Sequence, residues 1–130
     1  MAAADGGGTI RVLIADDDER YLDSLKHLVD GQPELHVVAQ ATDGLGAIEL
    51  ADQYAIDAAV IDIHMPLVDG VTAVARLRRD HPSLCLIAIT GDREPRLLRA
   101  AAEAGADAVL LKEELVETLV ERLSSVKQTA

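Results

Sequence analysis

The chain has no Phe and no Trp, and its only aromatic residues are Tyr21 and Tyr54. Its core must therefore be aliphatic, and recognition by stacking on aromatic rings is excluded as a main mode. One cysteine, Cys85, allows neither an intramolecular disulfide nor a cysteine-based metal site. Cys85 reads instead as a small apolar residue of a buried strand. No apolar run approaches the roughly eighteen residues of a membrane span. The start of the chain, Met1 to Gly8, lacks the basic and long apolar regions of a signal peptide. Basic residues are scarce: 12 Lys and Arg stand against 23 Asp and Glu, a net charge of −11. Phosphate contacts come from Lys and Arg, so direct nucleic-acid binding is not expected, nor is an anionic membrane surface. Together these absences predict a cytoplasmic, reducing setting.

What remains is a chain of 130 residues, 49 % of them hydrophobic. That is enough for one domain with one sizeable core. Residues 1–8 read as a flexible tail, 9–127 as the domain, and 128–130 as a tail or the start of a linker. The glycines Gly6 to Gly8 precede the first strand and no Gly-Lys-Ser/Thr follows them, so they do not form a phosphate loop.

Short apolar runs alternate with segments of helical period. Strands are predicted over Ile10 to Ala15, Leu35 to Gln40, Ala58 to Ile61, Leu84 to Ile89 and Ala108 to Leu111. The first helix carries Leu22, Leu25 and Leu28 or Val29, and ends at Gly31 and Pro33. The second runs from Asp43 to Gln53, capped by Thr42 or Asp43. The third carries Val71, Val74 and Leu77 behind an Asp69 cap. The fourth runs from Arg93 to Ala104 and is closed by Gly105. The fifth carries the stripe Leu115, Val116, Leu119, Val120 and Leu123. Strict alternation with continuous Val/Ile/Leu strands predicts a parallel sheet covered on both faces. For five strands and five helices the expected fold class is α/β, a flavodoxin-like three-layer sandwich of order 2-1-3-4-5.

In such a sheet the site lies at the carboxyl ends of the strands, near the switch point between the first and third. Strand one ends at Asp16, Asp17 and Asp18. Strand three ends at Asp62, strand four at Thr90 and strand five at Lys112. Read alone, the acidic run would be a solvated helix start, since acids favour a helix N-terminus. Read together, the strand ends aim carboxylates, a hydroxyl and an ammonium at one edge. Two carboxylates about 4 Å apart repel by roughly 4 kcal/mol at an effective dielectric near 20. A hard divalent cation removes that cost, and Mg²⁺ suits carboxylates and phosphate chemistry. With no thiolate and His64 the only nearby imidazole, zinc does not fit. Beside a cation, a carboxylate can attack phosphorus. Lys112 is a point charge suited to a phosphoryl oxygen, and the Thr90 hydroxyl can donate to another.

The chain resembles the receiver domain of a two-component response regulator. The matching residues are Asp16-Asp17 after strand one, Asp62-Ile-His-Met-Pro66 with Asp69-Gly70, Thr90-Gly91, and Lys112 after Val109-Leu-Leu111. The resemblance spans about Thr9 to Lys127. It implies that Asp62 is the phosphoacceptor, served by the phosphohistidine of a sensor histidine kinase. It implies Mg²⁺ held by Asp17, Asp62 and the backbone carbonyl of His64, with Asp16 acting through a water. Thr90 and Lys112 would bind the phosphoryl group, and His64 and Asp92 would tune its hydrolysis. The face of the fourth helix, fifth strand and fifth helix would carry the signal and is a candidate homodimer surface.

Two positions depart from the pattern. Val109 stands where receivers commonly carry an aromatic switch residue. Glu113 follows Lys112 where many receivers have proline, so a trans peptide is expected. The Lys-acidic pair is similar to the NarL/LuxR-like subfamily, whose members usually carry a C-terminal helix-turn-helix DNA-binding domain and control transcription. Two alternatives stay open at this point. One is a degenerate receiver that binds partners without phosphorylation, for which Val109 is the support. The other is a Mg²⁺-dependent phosphatase of the haloacid-dehalogenase kind; such enzymes place a second Asp two residues after the nucleophile, where this chain has His64. The expected activity is therefore that of a signalling domain, not an enzyme.

Overall fold

A computed structural model describes residues 9–126, the side chains of residues 115–117 aside. The tails expected at 1–8 and 128–130, and the side chains of the stripe residues Leu115 and Val116, lie outside what is described. Five strands alternate with five helices: β1 (Ile10–Ala15), α1 (Glu19–Asp30), β2 (Leu35–Ala41), α2 (Gly44–Gln53), β3 (Ala58–Asp62), α3 (Gly70–Asp80), β4 (Cys85–Thr90), α4 (Pro95–Ala104), β5 (Ala108–Leu111) and α5 (Leu115–Ser124). The strands form one sheet in the order β2-β1-β3-β4-β5. Every neighbouring pair is parallel. Fold class and strand order are those expected from the alternation of runs.

Period-two patterning in the strands sorts the core into two layers. Ile10, Val12 and Ile14 of β1 face α1 and α5, where they pack with Leu22, Leu25, Val29, Leu119 and Leu123. Leu13 and Ala15 face the other way, with Ala47 and Ala51 of α2 and Ala73, Val74 and Leu77 of α3. The second layer is built largely from alanine, which lets α2 and α3 approach the sheet closely. Ala101 of α4 joins Ile63 and Ala88 on that side. Aliphatic burial of this kind contributes about 1.5–3 kcal/mol per fully buried Leu, Ile or Val side chain.

Aspartates start three of the helices. Asp18 accepts from the Arg20 and Tyr21 backbone N–H groups, Asp43 from Gly46 and Asp69 from Thr72. Asp43, not Thr42, is thus the cap of α2. The fourth helix begins at Pro95, two residues later than its apolar period suggests, because Glu94 caps it and proline occupies its first turn. β2 runs one residue further than expected, to Ala41, and β4 starts one later, at Cys85. Cys85 is only half-buried, since it lies at the open end of its strand and lines a cavity of about 300 Å³ with Ser83 and Arg122. A 3₁₀ turn over Lys112–Glu114, not foreseen, joins β5 to α5. No described peptide bond is cis, so the Lys112–Glu113 bond is trans as expected.

Candidate functional site

The parallel sheet brings the carboxyl ends of β1, β3, β4 and β5 to one edge, and the expected site residues meet there. The acidic run after β1 divides by role. Asp16 is fully buried, Asp17 is exposed, and Asp18 caps α1. The bland reading of the run as a helix start therefore holds for Asp18 and fails for Asp16. One ligand atom each from Asp16, Asp17 and Asp62 lies within 4.8 Å of the others.

Asp62 closes β3 and is 3 % exposed. One of its oxygens accepts the His64 backbone N–H at 3.2 Å, and the other lies 3.4 Å from Lys112 Nζ. Lys112 Nζ stands closer to Asp16, 2.8 Å from Oδ2. This ion pair is the contact of the buried Asp16 Oδ2, while the Asp18 backbone N–H donates to Asp16 Oδ1 at 2.9 Å. Burial pushes the Asp62 carboxyl up, and repulsion from Asp16 adds to it; Lys112 and the His64 N–H oppose, and the result is about 6. Burial would lower the Lys112 ammonium, but its contacts with Asp16 and Asp62 outweigh this and hold it above its ordinary value. One ammonium between two buried carboxylates leaves the site one positive charge short.

Thr90 closes β4, fully buried, and its hydroxyl oxygen accepts the Asp92 backbone N–H at 3.0 Å. His64 and Asp92 leave different loops and meet at the rim, His64 Nε2 lying 3.5 Å from Asp92 Oδ2. Their pairing had no signal in the sequence, because the two loops are joined only by strand order. Val109 packs against the cluster of Ile63, Ala88 and Ala101, as does Leu97.

Local glycines set the loop after β3. A Cβ on Gly70 would come within 2.1 Å of the Asp62 carbonyl oxygen, and one on Gly44 within 1.8 Å of the Val68 carbonyl oxygen. Asp69-Gly70 is therefore both a cap and a close approach between α3 and the end of β3. Tyr21 is a site residue that sequence reasoning missed. Its ring centroid lies 4.1 Å from Lys112 Nζ. Its spacing to Leu25 and Leu28 places it on the inner flank of α1, which was the available signal.

The sequence matches the response regulator receiver domain family over residues 12–124. It is 31 % identical over 119 residues to the transcriptional regulatory protein DegU of Brevibacillus brevis, covering 92 % of this chain and 50 % of that protein. It is 34 % identical over 107 residues to a protein-glutamate methylesterase/protein-glutamine glutaminase of Anaeromyxobacter dehalogenans, covering 82 % of this chain and 31 % of that one. The signal receiver domain of the response regulator NarL from Mycobacterium tuberculosis superposes with a TM-score of 0.86 at 27 % identity, covering 92 % of this chain and 98 % of that domain. The chain spans half or less of the length of these two curated relatives. With the carboxylates, hydroxyl and ammonium gathered at one edge of a 2-1-3-4-5 sheet, the chain belongs to the response regulator receiver domain family and is a receiver domain of the two-component kind.

Proposed function

We propose that Asp62 accepts a phosphoryl group from the phosphohistidine of a sensor histidine kinase, with Mg²⁺ as the required cofactor. The observation that supports this reading most is the charge-deficient cluster of Asp16, Asp17 and Asp62, with Lys112 the one ammonium that meets Asp16 and Asp62. Hard oxygen donors of this kind fit Mg²⁺. Asp17, Asp62 and the His64 backbone carbonyl would ligate the ion, with Asp16 acting through a water. Bound there, Mg²⁺ supplies charge neutralisation for the carboxylates and the transferring phosphoryl oxygens.

An Asp62 carboxylate oxygen attacks phosphorus in line with the phosphohistidine N–P bond. The O–P bond forms as the N–P bond breaks, and the electron pair stays on the imidazole nitrogen. Lys112 needs only to exchange its long Asp62 contact for a phosphoryl oxygen. Thr90 gives up the Asp92 N–H and donates its hydroxyl to another oxygen. The rim pair His64–Asp92 limits the approach of water and so tunes hydrolysis of the acyl phosphate.

The Lys112-Glu113 pair, with the likeness to DegU and to the NarL receiver, supports placement in the NarL/LuxR-like subfamily and a transcriptional output from a DNA-binding domain beyond this chain. A net charge of −11 supports a receiver that does not itself hold DNA. The α4-β5-α5 face is the proposed signalling and homodimer surface: β5 is only half-buried throughout, and α4 fully buries Ala101 alone. No helix of the described residues is long and apolar enough to cross a membrane, in keeping with action in the cytoplasm. The activity is that of a phosphoacceptor that does not turn over a substrate.

Intact mass after incubation with acetyl phosphate and Mg²⁺ tests the reading. The wild type should gain one phosphoryl group and Asp62→Asn none. Equal labelling of Asp62→Asn, or a folded wild type that gains nothing from acetyl phosphate or from a phosphorylated kinase, would overturn it.

A further inference from the structure

Lys112 must keep a flexible four-carbon stem aimed at one point while its anionic partners change. Two carboxylates alone do not define that aim, since the ammonium sits 2.8 Å from Asp16 and 3.4 Å from Asp62. A third contact comes from outside the charged set. The Tyr21 ring lies under the ammonium, 4.1 Å from centroid to Nζ, inside the range of about 6 Å over which a ring face attracts a cation.

Tyr21 is well placed to hold a position. Its backbone N–H is bound by the Asp18 cap at 3.3 Å, at the same edge of the sheet as the carboxylates. Its side chain packs against the apolar layer under α1 and is half-buried. β5 itself, Ala108 to Leu111, brings no aromatic residue to the site. Tyr21 is thus the one aromatic side chain among the described residues that meets the site, Tyr54 being exposed.

We propose that Tyr21 is a positioning residue: its ring face holds the Lys112 ammonium over Asp16 and Asp62, ready for a phosphoryl oxygen. This rests on the reading of Asp62 as phosphoacceptor for its functional consequence, though not for the contact itself. The placement acts in two opposite directions. A held ammonium favours arrival of phosphoryl oxygens. The same ammonium repels a divalent cation bound to Asp16, Asp17 and Asp62. Loss of the ring should therefore slow phosphorylation while Mg²⁺ binding stays as tight or tightens. General damage to the fold would weaken both.

Three measurements on wild type, Tyr21→Phe and Tyr21→Leu test this. The chain has three lysines, Lys26, Lys112 and Lys127, so the Lys112 side-chain methylenes can be assigned by NMR. Ring current should shift the Lys112 ε-methylene protons upfield in wild type and Tyr21→Phe, and the shift should vanish in Tyr21→Leu. Calorimetric Mg²⁺ titration should show Tyr21→Leu binding at least as tightly as wild type. Labelling by acetyl phosphate should fall about three- to tenfold in Tyr21→Leu, the range of a partly exposed cation–π contact, and recover in Tyr21→Phe.

Wild-type labelling rates in Tyr21→Leu would overturn the proposal. So would loss of Mg²⁺ affinity together with labelling, or Tyr21→Phe behaving as Tyr21→Leu. If the wild type itself gains no phosphoryl group, the phosphoacceptor reading fails instead. The positioning role is then judged by the methylene shift and the Mg²⁺ titration, and weaker Mg²⁺ binding by Tyr21→Leu would overturn it.

Discussion

Arg78 and Lys112 lie at opposite ends of the same sheet, each a partly buried cation facing an aspartate and the ends of strands. Arg78, near the end of α3, donates to the Gly105 carbonyl twice, to the Pro82 and Leu84 carbonyls, and to Asp107. Asp107 in turn accepts the Leu86 backbone N–H. Every contact there is 3.0 Å or shorter, and the planar guanidinium makes five hydrogen bonds to four acceptors at once. Lys112 instead divides one ammonium between two buried carboxylates, at 2.8 Å from Asp16 and 3.4 Å from Asp62. One end is electrostatically closed and locks the turns before β4 and β5. The other has two buried carboxylates and an exposed one around a single ammonium, and under the proposed function a cation and a phosphoryl group would complete it. Similar ingredients thus give stability at one end and reactivity at the other, and the difference is how fully each polar group is satisfied.

The sharpest way to break the comparison is to open the closed end. Arg78→Ala strands three carbonyl acceptors and an exposed carboxylate, and should destabilise the fold by about 2–3 kcal/mol, mostly from the part-buried carbonyls left without a donor. The site end should be little affected while the protein remains folded. Urea unfolding measures the first effect, and acetyl phosphate labelling below the transition measures the second. A loss under about 1 kcal/mol would mean that water replaces the guanidinium without cost and that the node is not closed.

The next effect has the opposite sign and belongs to the open end. The folded protein keeps the Asp62 proton up to about pH 6, whereas an ordinary aspartate releases it near 3.8. Between those values the folded state binds more protons than the unfolded state, so stability falls as pH rises. Above about 6 the penalty is fully present. Without Mg²⁺ at pH 7, Asp62→Asn should therefore be more stable than wild type by about 2 kcal/mol, near neutral at pH 4, and unable to accept a phosphoryl group. Thermal unfolding of both proteins across pH 4 to 7 checks this. Saturating Mg²⁺ should remove the difference by stabilising the wild-type carboxylate. A wild type that gains stability from pH 4 to 7 relative to Asp62→Asn would refute the account of a strained site.

Much of the open end was legible in the sequence, and the physical reason is the parallel sheet. Parallel strands deliver their last residues to one edge, so Asp16, Asp62, Thr90 and Lys112 could be grouped from strand ends alone. Residues that act sideways were not legible. Arg78 reaches the Gly105 carbonyl 27 positions away in the chain, and Tyr21 meets Lys112 only because α1 and the turn after β5 share a face. The same holds for the pairing of His64 with Asp92. The start of α4 was misplaced because apolar period outweighed the proline and glutamate that cap it. The split of Asp16, Asp17 and Asp18 into buried acid, exposed acid and helix cap has no expression in composition; it follows from where β1 ends and α1 begins.

The smallest expected effects concern backbone conformation, and here too the ends differ. Two described residues have positive φ, Gly105 at 120° and Leu67 at 64°. Gly105 ends α4 beside Arg78, and a Cβ there would come within 2.7 Å of the Arg78 Cγ. Gly105→Ala should cost about 2 kcal/mol, from the left-handed conformation and from displacement of the guanidinium. Leu67 lies in the loop after β3 and is 80 % exposed, so burial does not offset its strain. A left-handed leucine costs about 1–2 kcal/mol, and glycine returns part of that as entropy of the unfolded chain. Leu67→Gly should therefore stabilise the protein by about 1 kcal/mol or slightly less. Its Mg²⁺ affinity should not change, because Gly44 and Gly70 still clamp the loop on either side. Chemical denaturation of the two variants side by side would show opposite signs. If Leu67→Gly instead weakened Mg²⁺ binding, the strain at the open end would be holding the His64 backbone in place for the metal, and the contrast with the closed end would extend from charge to backbone.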